Sequence, residues 1–201
     1  MTRPYHSPRR VREAAETRRD ILRAATDLFS ANGYARVTVA DIAKRAGVAP
    51  PTVYASAGSK SEMLHRIISE SVERTDAATV VEAVGRTDSL ATALTLVANG
   101  TRLGNENSQQ VIEILFAALP VHEDGEQLWR QSTAQYRQAL TAIAESLRDK
   151  GFLTAEVSYT TDVLWFCFGF NAWRTLVREC GWSWDDSERW LARQAITIFA
   201  G

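Results

Sequence analysis

Apolar residues in the first third of the chain recur with the period of a helix. In "AAETRRDILRAATDLFSANGY", Ile21, Leu22, Ala25, Leu28 and Phe29 fall at i, i+1, i+4, i+7 and i+8 and form one stripe. Asn32-Gly33 then supplies a C-terminal cap. "TVADIAKRAG" predicts a second, shorter helix. Thr38 is its N-cap, Asp41 is placed to return a cap bond, Val39, Ile42, Ala43 and Ala46 face inward, and Gly47 closes it. The next segment, "PPTVYAS", opens with two prolines. A helix tolerates proline in its first turn, where the missing N–H has no intrahelical partner. The segment is therefore predicted as a very short helix that starts at Pro50 and anchors itself through Val53. Ser59 and Glu62 form another capping box, which places Lys60 at the first residue of the following helix.

Beyond residue 60 the pattern predicts long helices only, over 60–83, 89–103, 107–119, 124–150, 156–180 and 185–200. Gly85, Gly104-Asn105, Pro120, Gly151 and Gly181 mark the joints. No strand-like alternation competes and no internal repeat is present. The expected fold is all-α with about nine helices. Residues 1–12, with two prolines and four arginines, read as a flexible basic arm, residues 13–60 as a head and residues 61–201 as a body.

Composition and charge change this picture in one respect. The 201-residue chain has an ordinary apolar fraction of 45% and a formal net charge of −1. Residues 1–60, however, hold eleven Lys and Arg against five acids, a balance of +6, and the remainder stands at −7. A basic head on an acidic body suits a protein whose head alone meets a polyanion, although charge by itself equally fits a solvated helix face. No apolar run is long enough to span a bilayer, and the arginine-rich start lacks the apolar stretch of a secretory signal, so the expected location is the cytoplasm with no membrane partner. Cys167 and Cys180 have no metal or redox spacing, and Cys167, in "VLWFCFGF", reads as a small core residue. His6, His65 and His122 lie far apart and read as surface residues. No nucleophile–base pair, metal-ligand spacing or glycine-rich phosphate loop is present, so no catalytic residue, metal or cofactor is expected and the chain is not read as an enzyme.

Three short helices with a tight turn between the second and third make a helix-turn-helix arrangement. The third is too short to persist alone, so packing must hold it and its outer face is free to enter a major groove. Ala49, Ala55, Ala57 and Gly58 would let its backbone come close to a duplex. Tyr54 offers a hydroxyl to a phosphate oxygen, Lys60 a cation at a helix N-terminus, and Thr38 a hydroxyl and an amide. Residues 17–64, "TRRDILRAATDLFSANGYARVTVADIAKRAGVAPPTVYASAGSKSEML", resemble the DNA-binding region of TetR-family transcriptional regulators. The matching elements are "ILRAATDLFSANGY", "TVADIAKRAGV" and "TVY" followed by Lys60. The resemblance implies a two-domain homodimer that binds a palindromic double-stranded operator and releases it when a small molecule enters the body. It also implies base-facing roles for Pro50, Pro51 and Thr52, and phosphate contacts from Thr38, Tyr54, Ser56, Lys60, Arg18 and Arg45. Pro50 and Pro51 would meet thymine methyls. The chain departs from the family at Ala55, Ser56 and Ala57, where bulkier residues are common. Arg3, Arg9, Arg10 and Arg12 would follow a minor groove or the backbone, or remain unengaged.

All six tryptophans lie in the body. An apolar or aromatic effector site is expected from Phe116, Trp129, Tyr136, Trp165, Phe166 and Phe170, with Gln135 and Asn171 as polar groups. Aromatic stripes at this spacing also serve as plain core. The resemblance implies that the last two helices pair with a second copy, with Leu164, Phe168, Leu176, Trp190, Ile196 and Phe199 as candidates. It further implies that the helix from Lys60 carries effector binding to the recognition helices, whose spacing in the dimer must match one duplex turn. Two alternatives stand beside the repressor: an activator, and a DNA-binding regulator with no effector pocket.

Overall fold

The computed structural model describes residues 8–74 and 76–200. Among these every regular element is helical. The chain runs through α1 (Pro8–Asn32), α2 (Val39–Ala46), α3 (Pro50–Ala57), α4 (Lys60–Glu73), α5 (Ala77–Gly85), α6 (Leu90–Asn107), α7 (Gln109–Ala118), α8 (Gly125–Asp149), α9 (Val157–Phe168), α10 (Phe170–Arg174) and α11 (Trp184–Ala200). Short 3₁₀ turns lie at Tyr34–Arg36 and Leu119–Val121, and a π turn at Thr175–Glu179. Among the described residues no helix is long and apolar enough to cross a membrane.

The nine expected helices are present, with two of them interrupted. The stretch expected as one helix over 60–83 ends at Glu73 and restarts at Ala77. Asp76, a residue that favours helix ends over interiors, occupies the position before the restart. The stretch expected over 156–180 breaks at Gly169, which is extended (φ −72°, ψ 171°). A Cβ there would lie 2.5 Å from the carbonyl oxygen of Trp165, so only glycine fits. The break leaves the Phe168 carbonyl without its helical donor, because the Ala172 N–H bonds Gly169 instead at 3.1 Å. Two side chains replace that donor: the Tyr136 hydroxyl and the Trp173 indole N–H, the latter at 3.0 Å.

Two further expectations are corrected. Gly104-Asn105 was expected as a joint, yet α6 runs through it to Asn107. Asn105 is buried and its amide donates back to the Thr101 carbonyl at 2.7 Å, which keeps the helix continuous. Residues 8–12, expected within a flexible arm, form the first turn of α1, supported by the Arg9–Glu13 ion pair at 2.8 Å. Residues 1–7, including Arg3, lie outside the described residues.

The described residues group into two compact units, those up to 71 with 110–129, and those of 72–109 with those from 130 onward. In the first, α1, α2 and α3 pack pairwise around Ile21, Leu22, Ala25, Phe29, Ile42 and Val53. In the second, α6 packs against α5, α9 and α11. Leu94, Val97, Leu140, Leu147, Leu164, Phe168, Trp173 and Leu191 fill its core. Each large aliphatic or aromatic side chain so buried contributes on the order of 1.5–3 kcal/mol.

Gly169→Ala is expected to destabilise the protein by about 1–3 kcal/mol through this clash. Gly85→Ala, at the end of α5 with no atom within 4 Å of the added methyl, should change stability by less than about 1 kcal/mol. Urea unfolding of the two variants against wild type measures both.

Candidate nucleic-acid interface and effector site

The start of α2 is fixed by three hydrogen bonds between Thr38 and Asp41. Thr38 Oγ1 accepts from the Asp41 amide at 3.2 Å, and Asp41 Oδ2 accepts from the Thr38 amide at 2.9 Å and the Thr38 hydroxyl at 2.6 Å. These bonds from Thr38 hold the Asp41 carboxyl below the usual aspartate range. Gly47 ends α2 in the left-handed region (φ 70°, ψ 28°), and Ala49 is extended, as the residue before a proline must be. Pro50 and Pro51 then occupy the first two positions of α3.

The two faces of α3 separate cleanly. Val53 and Ala57, four residues apart, are buried at 0% and 3% exposure. Pro50, Pro51, Tyr54 and Ala55 face solvent, with Thr52 and Ser56 half-buried at the flanks. Tyr54 is 57% exposed, which sets it apart from a core aromatic. Ala57, expected among the small outward residues, is instead a packing residue: it shares Val53's face, one helical turn away.

Both ends of α3 are tied to its neighbours. Arg18 Nε donates to the Ser56 carbonyl at 2.7 Å, so a side chain of α1 holds the last turn of α3. Gly58 has φ 82°, and a Cβ there would strike the Glu62 carboxylate at 2.5 Å. That carboxylate accepts from the Ser59 amide at 2.7 Å, while the Glu62 amide donates to Ser59 Oγ at 3.2 Å, closing the second capping box. The Ser59 bonds hold the Glu62 carboxyl below its ordinary range. Lys60 is half-buried: its Nζ donates to the Tyr34 carbonyl at 3.1 Å and lies 4.4 Å from the centre of the Tyr34 ring. Arg45 pairs with Asp27 at 3.2 Å on an exposed face. The head thus carries Thr38, Pro50, Pro51, Thr52, Tyr54, Ser56 and Lys60 on one set of mutually braced helices, with Arg18 as one of the braces.

The expected effector residues fall into separate groups. Phe116 and Trp129 meet in the first unit, with ring centres 5.7 Å apart. In the second unit Tyr136, Trp165 and Phe170 form a triangle with centres 5.3–5.9 Å apart. Phe166 is 77% exposed, and Gln135 and Asn171 are exposed as well, so they do not join the triangle. The polar groups that meet it include Asn105 and Thr101 of α6, and the Arg137 guanidinium, 5.4 Å from the centre of the Trp165 ring. Asn105 Nδ2 donates to the Tyr136 oxygen at 3.3 Å, and burial pushes the Tyr136 hydroxyl above its ordinary pKa range. Sequence reasoning passed over Asn105, although Leu94, Ala98, Thr101 and Asn105 follow one buried stripe at helical spacing.

Of the residues expected at a subunit interface, Leu164 and Phe168 are both 0% exposed within the single chain, so a second copy cannot reach them. Leu176, Trp190, Ile196 and Phe199 are half-buried at the margin of the same core. Tyr159 and Phe166 of α9 and Ile198 of α11 are large and exposed. Cys167 is buried, which raises its thiol pKa to about 11, and Cys180 is exposed. Among the described residues no group of three His, Cys, Asp or Glu side chains is arranged to hold a metal.

Asp41 and Glu62 ionise more readily in the folded head than in the open chain. Their caps therefore add stability above the ordinary carboxylate range and lose it as pH falls through the lowered values. An Asp41→Ala/Glu62→Ala variant is expected to be less stable than wild type at pH 7, with the gap narrowing as pH drops below about 4; chemical unfolding across pH checks this.

Comparison with known proteins bears on both units. By sequence the chain matches no curated protein. Residues 21–67 match the profile of the bacterial regulatory proteins of the tetR family. Among solved structures, one from Syntrophomonas wolfei assigned to the TetR family of transcriptional regulators is similar at a TM-score of 0.74 and 17% identity, covering 93% of this chain and 96% of that one. The transcriptional regulator FadR from Bacillus subtilis, in complex with stearoyl-CoA, is similar at 0.71 and 15%, covering 89% and 97%. GusR of Salmonella enterica is similar at 0.71 and 18%, covering 92% and 96%. The shared fold thus extends through head and body alike, and the sequence likeness to the tetR family of bacterial regulatory proteins is carried by residues 21–67.

Proposed function

We propose that the protein is a cytoplasmic, DNA-binding transcriptional regulator: a repressor that holds a palindromic operator as a homodimer and leaves it when a small apolar or aromatic effector occupies the body. The observation that carries this is α3, whose outer face of Pro50, Pro51, Tyr54 and Ala55 serves no packing role although its inner face and both ends are tightly fixed. A rigid exposed helix of small and proline side chains suits the floor of a major groove, and prefixed ends reduce the ordering cost of docking. Thr52, Pro50 and Pro51 would face base edges. Tyr54, Ser56, Thr38, Lys60 and Arg18 would face phosphates, and Arg45 would have to leave Asp27 to join them.

In the body, the triangle of Tyr136, Trp165 and Phe170, with Asn105 and Thr101 at its polar edge, is the centre around which an effector would bind. The stearoyl-CoA held by FadR of Bacillus subtilis supports an apolar effector for this fold. The exposed Tyr159, Phe166 and Ile198 extend the half-buried Leu176, Trp190, Ile196 and Phe199 as the surface for a second copy. One observation favours the second reading, a regulator with no effector: the polar groups around the triangle already satisfy one another, the Tyr136 hydroxyl and Trp173 indole both serving the Phe168 carbonyl.

Gel-shift titration at several salt concentrations tests the head. Lys60→Ala is expected to weaken binding to all duplexes and to lower the salt slope by about one per head. Tyr54→Phe should weaken all duplexes several-fold, on the order of 1 kcal/mol. Thr52→Ala should instead change which sequences are preferred. Unchanged affinity in both the Tyr54 and Lys60 variants would remove the phosphate-contact roles.

A further inference from the structure

The turn after α7 brings an imidazole into the head, and its hydrogen bonds fix its state. His65 and His122, far apart in sequence, meet edge to face with ring centres 5.8 Å apart. His122 Nδ1 lies 3.1 Å from the backbone nitrogen of Asp124, whose N–H can only donate. Nδ1 must therefore be the acceptor, and the ring proton resides on Nε2. Nε2 is 2.9 Å from Ser61 Oγ, so the ring donates and Ser61 accepts. Ser61 is hydrogen-bonded in turn to the Tyr34 hydroxyl.

This places His122 between two helix starts. Ser61 is the second residue of α4, next to Lys60. Asp124 caps α8: its Oδ1 accepts from the Gln127 amide at 3.2 Å and its carbonyl from the Leu128 amide at 3.0 Å. The imidazole also packs on Tyr34, with ring centres 5.7 Å apart, and Tyr34 is the ring and carbonyl that hold the Lys60 ammonium. The ionisable groups around it are Lys60 and His65 from α4, Tyr34 from the turn after α1, and Glu123 and Asp124 from its own segment.

We propose that His122 is a positioning residue for Lys60, and that a proton added at its Nδ1 frees the cap of α8, unseats Lys60 and lowers operator affinity. The inference rests on the DNA-binding reading. A doubly protonated ring turns a donor toward the Asp124 N–H, so that bond cannot survive. The ring also becomes a second cation against the aromatic system that seats Lys60, and like charges at this range repel. Burial, and then the nearby His122 ring, hold the His65 imidazole below its ordinary range, against the opposing pull of the Asp124 carboxylate. The sign is diagnostic. A bare gain of positive charge would strengthen binding to a polyanion, whereas loss of a prepositioned Lys60 weakens it.

The test uses the full chain and a duplex enriched by it from a random-sequence pool at pH 8. Affinity is followed from pH 8 to 5.5 at constant salt. The chain holds three histidines, so each can be replaced in turn. Wild type, His6→Gln and His65→Gln are expected to lose about tenfold on acidification, the loss that one charged contact accounts for. His122→Gln should be flat, and His122→Arg should bind weakly even at pH 8. Affinity that is constant or rises as pH falls, or a loss that persists in His122→Gln, overturns the proposal. Nitrogen-15 spectra of the wild-type imidazoles and of the Asp124 amide give a readout free of DNA. The Nε2–H tautomer, with an Asp124 amide that titrates together with His122, supports the proposal. The Nδ1–H tautomer, or an indifferent amide, overturns it. If no duplex is enriched, the DNA-binding reading fails on its own account while these spectra still decide whether the latch exists.

Discussion

An eight-residue helix does not hold its shape in water by itself, and that constraint governs the head. Nucleating a helix costs more than two turns of hydrogen bonds return. α3 survives because its neighbours carry the cost. Val53 and Ala57 seat it on α1 and α2, the prolines fix its first turn, Arg18 takes the Ser56 carbonyl, and the Glu62 box determines where the chain leaves. Every one of these attachments acts from the inner side or from an end. The outer side is left with Pro50, Pro51, Tyr54 and Ala55, which have no packing duty. A surface so bare on a helix so firmly held is the physical basis for reading it as the part that meets another molecule.

The second unit solves a different problem. The break at Gly169 turns the chain, and the carbonyl it exposes is taken up by Tyr136 and Trp173. One backbone oxygen thereby ties α8 and α10 to the end of α9. The same bond orients Tyr136 for its contacts with Trp165 and Phe170, so the aromatic triangle is a consequence of the break and not only of composition.

What was legible in the sequence was local. Thr38 with Asp41 and Ser59 with Glu62 act across three residues, and the prolines and Gly47 restrict their own backbone, so the boundaries of α2 and α3 and the start of α4 could be read directly. What was not legible depended on partners distant in the chain. Nothing near Arg18 announces Ser56, and nothing near Lys60 announces Tyr34. Gly169 sits in an apolar helical pattern that glycine does not interrupt by itself, and only the approach of Trp165 makes it a break. Asn105 looked like a joint because asparagine beside glycine usually is one; burial and the Thr101 carbonyl reversed that. Leu164 and Phe168 were interface candidates because the resemblance implies that the last two helices pair with a second copy, and apolar residues on a helix do not show whether their cover is the same chain.

The two capping boxes have a further effect on how this head meets negative charge. A helix start ordinarily welcomes an anion through its free amides. At α2 and α4 a carboxylate already takes the amide of the capping residue, Thr38 or Ser59, and the bonds it accepts favour its ionised form. A phosphate reaching for the Thr38 or Ser59 amide would compete with that resident acid, and Thr38 would have to let go of Asp41 before its hydroxyl could turn outward. At Thr38 such a head would grip through exchange and not through vacancy, the outward contact forming only as the internal one is surrendered, whereas the bare face of α3 gives up nothing.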